Sequence, residues 1–172
     1  MGANTYQEMT GPTKIRMEAV YPFICSSPLN LNSNIDIVNF DFSKNHVEVW
    51  EKIQFASDDS LDKSEKNFFT KQFGGNLELV PDRLFFAANK FTGNIIGACA
   101  SWFKGDLGRV HWVAVVPDFQ GLGVGNSLMH ECILRFKKLD YKKVYLHTWS
   151  DRNIAINLYL KFGFKKVNLS LT

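Results

Sequence analysis

The residues with the clearest chemical spacing form a glycine-rich turn between a predicted strand and a predicted helix. Residues 110–116 are a nearly unbroken apolar run, which predicts a strand buried on both faces. Residues 120–125 read QGLGVG, and apolar side chains recur at helical spacing from there to residue 139. The first turn of a helix leaves backbone N–H groups unpaired, and the helix dipole favours negative charge beside them. Because Gly123 and Gly125 lack a Cβ atom, we expect a diphosphate to approach this backbone closely.

The spacing of the glycines distinguishes between kinds of phosphate-binding turn. A P-loop requires GxxxxGK[ST], and no lysine follows these glycines. A Rossmann turn requires GxGxxG, but Gly121 and Gly123 are followed by Asn126 where the third glycine would stand. The remaining pattern, QxxGxG at residues 120–125, resembles the coenzyme A diphosphate loop of the GNAT superfamily of acyl-CoA N-acyltransferases. A glycine-rich turn that only allows the helix to pack is the alternative.

A second signature lies in the helix predicted at residues 152–162. Residues 155–164 read AINLYLKFGF, which resembles the AxxLYxxxGF helix of GNAT enzymes. The resemblance implies that Tyr159 lies near the thioester sulfur, where its hydroxyl can protonate the departing thiolate. The family often has an asparagine three residues before the alanine, but Arg152 stands there and Asn153 is one place late. Asn153 is therefore the candidate for a contact with the pantetheine arm.

Acyl transfer to an amine also needs a polarised carbonyl and a base. Backbone N–H groups at Val113, Ala114 and Val115 can polarise the carbonyl, because the family's central strand splays there from its neighbour. His111, on the same strand, matches a histidine base of the arylalkylamine N-acetyltransferases. His147, on the next strand, falls where N-terminal protein acetyltransferases carry a glutamate base. A histidine with a pKa near ~6.5 suits a base or a water relay, and a hydrogen-bonded sheet histidine is the alternative for each.

The predicted site has a catalytic group and a cofactor-binding group of residues. The catalytic candidates are Tyr159, His147 and His111. The resemblance implies acetyl-CoA as cosubstrate, bound by Val113, Ala114, Val115, Gln120, Gly121, Leu122, Gly123, Val124, Gly125, Asn126, Asn153 and Tyr159. The histidines and acidic residues show no metal-ligand spacing, so no metal is expected, and His46 and His130 are predicted to face solvent.

Composition restricts the class of protein. The 172 residues fit one domain with a substantial core, and 45% hydrophobic with 22% charged residues is ordinary for a globular protein. The net charge of +3 is too small to indicate nucleic-acid binding, and no apolar run is long enough to span a bilayer. Three cysteines far apart in sequence, without a leader-like N-terminal segment, predict a reduced protein of the cytoplasm.

The order of predicted elements is that of the GNAT fold. The resemblance implies an α/β (α+β) domain whose mixed, mostly antiparallel twisted sheet has six to seven strands, about four flanking helices and a splayed central pair that binds acyl-CoA. Asp62 is predicted to cap the second helix. The predicted strands are residues 35–42, 83–88, 95–103, 110–116, 142–148 and 164–169.

The N-terminal part of the chain is the least determined. We expect residues 35–172 to form the core of the single domain, and residues 1–34 an extension or an extra edge strand. The family usually adds a seventh strand after the sixth, and no such strand is predicted after residues 164–169. A short strand predicted at residues 13–19 can fill that edge; a partner chain in a homodimer, or an open edge, are the alternatives.

The sequence therefore predicts an N-acetyltransferase that moves the acetyl group of acetyl-CoA to a primary amine in a ternary complex. The acceptor is a small-molecule amine or a protein N-terminus, and no nucleic-acid or membrane partner is expected. The alternative is a regulatory module on the same fold that binds acyl-CoA without catalysis. Tyr159 and the two placed histidines favour the enzyme.

Overall fold

The computed structural model describes residues 11–23 and 31–167, which form one mixed sheet with helices on both faces. The seven described strands are β1 (Lys14–Val20), β2 (Ile35–Asn39), β3 (Leu84–Asn89), β4 (Ile95–Lys104), β5 (Leu107–Val115), β6 (Lys143–Trp149) and β7 (Lys165–Val167). Their order is β2-β3-β4-β5-β6-β1-β7. Within this sheet β5 and β6 pair in parallel, and the other neighbouring strands pair antiparallel. The predicted GNAT fold is confirmed.

Five α-helices and two short 3-10 turns lie in the described ranges, one helix more than the four expected. The α-helices are α1 (His46–Ser57), α2 (Phe68–Phe73), α3 (Val80–Arg83), α4 (Val124–Lys138) and α5 (Asn153–Lys161), and the 3-10 turns are Leu77–Leu79 and Pro117–Phe119. The additional helix is the four-residue α3, too short for apolar periodicity to reveal it. None of these helices combines the length and hydrophobicity needed to cross a membrane.

Two hydrophobic cores lie on opposite faces of the sheet. Helices α4 and α5 cover one face, and α1 and α2 cover the other. Neighbouring residues of β3 belong to different cores, Phe85 to the first and Phe86 to the second, because successive strand side chains point to opposite faces. The second core is rich in aromatic rings, which accounts for much of the high phenylalanine content: Trp50, Phe68, Phe69, Phe73 and Trp102 are all buried there.

Two local predictions are wrong. Helix α2 begins at Phe68 rather than after Asp62, because the Asp62 carboxylate accepts hydrogen bonds from the backbone and hydroxyl of Ser64 and closes a turn. His46 does not face solvent: it is buried, its Nδ1 accepts a hydrogen bond from the Asp41 N–H, and its ring packs on Phe86.

The N-terminal strand is an interior strand of the sheet. β1 lies between β6 and β7 and is antiparallel to both, with Met17 opposite Leu146 on one side and Lys166 on the other. Met17 is fully buried. The strand predicted at residues 13–19 therefore exists, but it completes the sheet from within rather than at its edge.

The central strands separate soon after they meet. β5 and β6 pair in register at Gly108 with Val144 and at Arg109 with Tyr145, and no paired residues follow along β5. A Cβ atom on Gly108 would lie 2.7 Å from a Val144 methyl, so glycine permits this close approach. Beyond it, Trp112, Val113 and Val115 are only half-buried, whereas Val110, His111 and Ala114 are buried. The prediction of a strand covered on both faces therefore holds for only part of β5.

A bulge in β5 marks the place of separation. The register between β4 and β5 shifts at Trp112, whose φ angle of 53° lies in the left-handed region. That conformation is strained for a residue other than glycine, and such strain is typical of functional sites. The bulge turns the backbone at residues 112–113 away from regular pairing with β4.

Candidate active site

The glycine-rich loop between β5 and α4 presents unpaired backbone donors. Gly121 and Gly123 have φ angles of 76° and 82°, a region that favours glycine, and α4 begins directly after Gly123 without a side-chain cap. Within the described residues, no N–H group from residue 121 to residue 126 donates to a backbone acceptor. The loop is held by two side-chain donors, since Gln120 donates to the Val115 carbonyl and Asn32 donates to the Leu122 carbonyl.

Gly125 serves the packing of the two helices on this face. A Cβ atom at Gly125 would lie 3.1 Å from a methyl group of Leu158, so its absence lets α4 approach α5. At Gly121 a Cβ atom would meet nothing within 4 Å, so that position needs glycine for its backbone conformation alone. The two glycines therefore have different roles, and the predicted role of Gly125 in admitting a diphosphate is joined by a packing role.

The first of two clefts opens beside this loop, between β5 and α5, with a volume of about 680 Å³. Eight of the predicted cofactor-binding residues line it: Val113, Ala114, Val115, Gln120, Gly121, Gly125, Asn153 and Tyr159. The other four, Leu122, Gly123, Val124 and Asn126, lie outside the lining, in the loop or the first turn of α4. The side chain of Val124 is buried in the core, so this residue can offer only its backbone.

The second cleft, of about 470 Å³, brings the three predicted catalytic residues together. His111, His147 and Tyr159 all line it. The two clefts share six lining residues, so they meet where β5 and β6 have separated: Asp58, Trp112, Val113, Arg152, Ala155 and Tyr159. A group entering through the first cleft would therefore reach the histidines of the second.

Neither of the two candidate histidines has a side-chain hydrogen bond within the described part of the chain. His111 is buried against the rings of Phe73 and Trp112, and burial holds its pKa well below the usual value. His147 is half-buried, and burial, followed by the charges of nearby cations including Lys14 and Arg109, lowers its pKa. Both rings are therefore neutral at pH 7, the form that accepts a proton.

Tyr159 is one of the residues that line both clefts, yet it is only 7% exposed. Its ring packs on Phe164, and burial raises the pKa of its hydroxyl above the usual value. The hydroxyl therefore stays protonated throughout the neutral range and can act as a donor. Leu158, its neighbour in α5, lines the first cleft with it.

An ion pair across the junction was not predictable from motifs. The guanidinium of Arg152, before α5, lies 2.6 Å from the carboxylate of Asp58, after α1. Burial raises the pKa of Asp58, but hydrogen bonds from Ser60 and Arg152 outweigh this effect and hold it below its usual value. Arg152, which replaces the asparagine of the family pattern, therefore joins α1 to α5. No motif signals this pair, because its members are 94 residues apart in sequence.

Metal ligands are not grouped here. The described residues contain no cluster of three or more histidine, cysteine, aspartate or glutamate side chains that could hold a metal ion.

Known proteins resemble this chain in both sequence and structure. The profile of the acetyltransferase (GNAT) family matches residues 41–164. The chain belongs to this family. A curated relative, an acetyltransferase of Pectobacterium atrosepticum, is 28% identical over 88 residues, which are 51% of this chain and 61% of the relative.

Solved structures share the GNAT fold at low sequence identity. A GCN5-related N-acetyltransferase from Sphaerobacter thermophilus superposes with a TM-score of 0.74 and 17% identity, covering 91% of this chain and 49% of that one. A GNAT family acetyltransferase from Elizabethkingia anophelis, solved with acetyl-CoA bound, gives a TM-score of 0.56 and 22% identity over 78% of both chains. The present chain thus spans about half the length of the first structure.

Proposed function

We propose that the chain is an N-acetyltransferase that moves the acetyl group of acetyl-CoA to a primary amine by direct attack in a ternary complex. The observation that carries the proposal is the meeting of two clefts at Tyr159, one beside a loop of backbone donors and one beside two histidines. Family membership and the acetyl-CoA bound by the Elizabethkingia anophelis relative support it. The unbridged, buried thiols of Cys99 and Cys132 suit a reducing compartment, so we place the enzyme in the cytoplasm.

The residues along the first cleft fit coenzyme A. Residues 121–126 offer backbone N–H groups at the positive end of α4, where a diphosphate is favoured. Val113, Ala114 and Val115 have no partners on β6, so their backbone groups that face away from β4 are available to an extended pantetheine arm, except the Val115 carbonyl, which accepts from Gln120. Asn153, at the start of α5, lies on the opposite side of the same cleft. When bound, acetyl-CoA supplies an activated thioester, and no covalent intermediate on the protein is required.

His147 is the first candidate for the general base and His111 the second. Both rings open on the second cleft, where the amine would enter. His147 ranks first because its half-buried ring is accessible to an amine or a bridging water, whereas His111 is packed between aromatic rings. The lowered pKa of His147 keeps it neutral and ready to accept a proton at pH 7.

Two further groups act on the acetyl group. A backbone N–H at residues 113–115, near the bulge, polarises the carbonyl oxygen as negative charge develops there. The Tyr159 hydroxyl donates its proton to the departing sulfur. Because that charge exists only as the bond breaks, this hydroxyl stabilises the transition state more than the bound substrate.

A thiol-release assay tests the proposal. The purified chain is incubated with acetyl-CoA and a panel of primary amines, and free coenzyme A is measured together with mass spectrometry of the acetylated amine. Transfer to at least one amine is expected, with loss of transfer in the His147→Gln, His111→Gln double variant. Tight binding of acetyl-CoA without release of coenzyme A in the presence of any amine would instead indicate a regulatory module that binds acyl-CoA.

A further inference from the structure

The second cleft carries an excess of positive charge. Its lining includes three side-chain cations, Lys14, Arg109 and Arg152, and one carboxylate, Asp58. Arg152 and Asp58 neutralise each other in the ion pair that joins α1 to α5. Lys14 and Arg109 have no ion pair within the described residues. The cleft that would receive the amine is therefore electropositive.

Arg109 differs from the other four arginines, all of which are described. Each of the others has a protein partner: Arg16 pairs with Glu18, Arg83 donates to the Ser101 carbonyl, Arg135 pairs with Glu131, and Arg152 pairs with Asp58. The Arg109 side chain has no hydrogen bond, ion pair or ring contact within the described ranges 11–23 and 31–167. A half-buried guanidinium has five donors in a planar fork, so it has the capacity to bind an anion from outside the protein.

The position of Arg109 relates this capacity to the reaction. It precedes His111 by two residues on β5, and both side chains line the second cleft. Two residues along a strand correspond to about 7 Å. Arg109 pairs with Tyr145 of β6, two residues before His147. Lys14 of β1 pairs with Trp149, two residues after His147. The unpaired cations therefore lie on either side of the candidate bases.

We propose that the acceptor is a small-molecule amine that also carries an anionic group, a carboxylate or a phosphate, and that Arg109 and Lys14 bind this group. The proposal rests on the proposed acetyltransferase function and names the acceptor class for the same site. Arg109 supplies a two-pronged contact to the anion, and Lys14 adds a mobile charge at the cleft mouth. Acceptors rich in positive charge, such as polyamines, are disfavoured because the cleft repels them.

The local field is consistent with this assignment. Lys14 and Arg109 are among the cations that lower the pKa of His147, so their positive charge disfavours protonation of the candidate base. An anion bound between them would offset part of that effect and leave the amine close to the imidazole. The anion would thus orient the acceptor and improve the proton affinity of the base at the same time.

Matched pairs of acceptors test the proposal. α-Amino acids are compared with their amides, O-phosphoethanolamine with ethanolamine, and spermidine serves as the cationic acceptor. The anionic member of at least one pair is expected to have a kcat/KM about ten- to a hundredfold higher, the scale of a charge-assisted contact. The amide has the more easily deprotonated amine, so a preference for the acid cannot arise from amine basicity. The two kinds of pair distinguish carboxylate from phosphate.

Variants assign the preference to residues. Arg109→Gln is expected to remove most of the preference, measured as the ratio of kcat/KM for the anionic acceptor to kcat/KM for its neutral partner at a pH above the acidic limb. Arg109→Lys keeps the charge but not the fork, so it should retain part of the preference. Lys90→Gln is the control, because Lys90 follows β3 on the exposed hairpin turn and the same charge is removed far from the cleft.

The outcomes separate the acceptor class from the reaction. Equal kcat/KM for both members of every pair, or a preference for spermidine, would overturn the anion proposal while leaving acetyl transfer intact. If no amine is acetylated, acetyl transfer fails, and calorimetry with N-acetyl amino acids and their amides on the coenzyme A-saturated protein tests the anion site directly. Tighter binding of the acids, lost in Arg109→Gln, would support the site, and equal binding would refute it.

Discussion

At the scale of residues, the proposed site combines a tyrosine that lines both clefts with two histidines that line the second. Tyr159 is almost buried, so its hydroxyl stays protonated, whereas the histidines lose protons more easily than usual. Burial acts on both kinds of group by disfavouring the charged form. One environment therefore provides a proton donor and proton acceptors within the same cavity, which is what transfer from an amine to a sulfur requires.

Tyr159→Phe tests the donor. This change keeps the ring and its packing on Phe164 but removes the hydroxyl. We expect kcat to fall by roughly ten- to a thousandfold while the affinity for acetyl-CoA is nearly unchanged. Steady-state kinetics and calorimetry measure the two quantities. Tyr141→Phe is the control, since the Tyr141 ring packs on Phe136 and lines neither cleft. Full activity of the Tyr159 variant would assign this residue a packing role.

His147→Gln tests the base through the pH profile. Because its pKa is lowered, the acidic limb of kcat/KM should lie below pH ~6.5, the value of an unperturbed histidine. His147→Gln should remove that limb, and Arg109→Gln should move it to higher pH by removing a charge that lowers the pKa. The charged or titratable groups that face His147 or line its cleft are Lys14, Arg16, Glu18, Asp58, Lys104, Arg109, His111, Tyr145, Arg152 and Tyr159.

The matched variant of the pH experiment is His111→Gln. If His147 is the base, the acidic limb of the kcat/KM profile should persist in His111→Gln, even if kcat/KM itself is lower. Loss of the limb in His111→Gln and its retention in His147→Gln would assign the base to His111 instead.

The positions of individual site residues could be predicted from the sequence where a local motif determines them. The glycines at 121 and 123, Tyr159 and both histidines all fall at the clefts or beside them, because the local sequence already specifies a turn, a helix face or a strand face. Asp58 and Gln54 were not predictable, since they reach the site through the docking of α1. From the sequence, Gly125 was predicted only as a diphosphate contact. Its packing against Leu158 of α5 is visible only in the folded structure.

At the scale of elements, the loop before α4 is the part most open to a direct test. Gly121→Ala places a Cβ atom in open space but on a residue with a φ angle of 76°. The left-handed conformation costs an alanine about 1–2 kcal/mol, so the loop should relax and bind coenzyme A about tenfold more weakly. Isothermal calorimetry with coenzyme A measures this change.

A second glycine provides the control for that experiment. Gly93, in the turn between β3 and β4, has a φ angle of 71° and equally open surroundings, but it lies away from both clefts. Gly93→Ala should cost similar stability and leave the affinity for coenzyme A unchanged. Equal affinities for both variants and the unaltered chain would argue against the loop as the diphosphate site.

Elements were predicted well where local signals are strong and less well where tertiary contacts decide. The helix after the glycine turn was placed within one residue of each end, since its periodicity spans fifteen residues. The strand at the N-terminus was predicted too, but not its place, because pairing with β6 and β7 is set by contacts across the whole chain. The second helix starts five residues late, because Asp62 closes a turn of its own.

At the scale of the whole molecule, the sheet holds the site open by inserting β1 beside β6. β6 pairs with β5 at two positions but with β1 along its full length, from Lys143 to Trp149. This arrangement leaves the far half of β6 free on the β5 side, where the clefts form, without losing its order. The N-terminal strand is thus part of the support of His147.

Met17→Ala measures how much the inserted strand contributes. Met17 is 0% exposed, and removing its side chain should lower the free energy of unfolding by about 2–5 kcal/mol. Val20→Ala, on the same strand but 63% exposed, should change it by less than about 0.5 kcal/mol. Urea denaturation gives both values. Equal effects of the two changes would show that β1 contributes little to the core.

The interior position of β1 also has a consequence for synthesis on the ribosome. Thr13, just before β1, bonds to Ser150, just after β6, and the two residues are 137 positions apart. At roughly 5–20 residues per second, translation needs about 7–27 seconds between them. During that interval the apolar side of β1 has emerged without the strands that will cover it. β1 therefore cannot take its place in the sheet, and the two clefts cannot acquire their final shape, until β6 has been made.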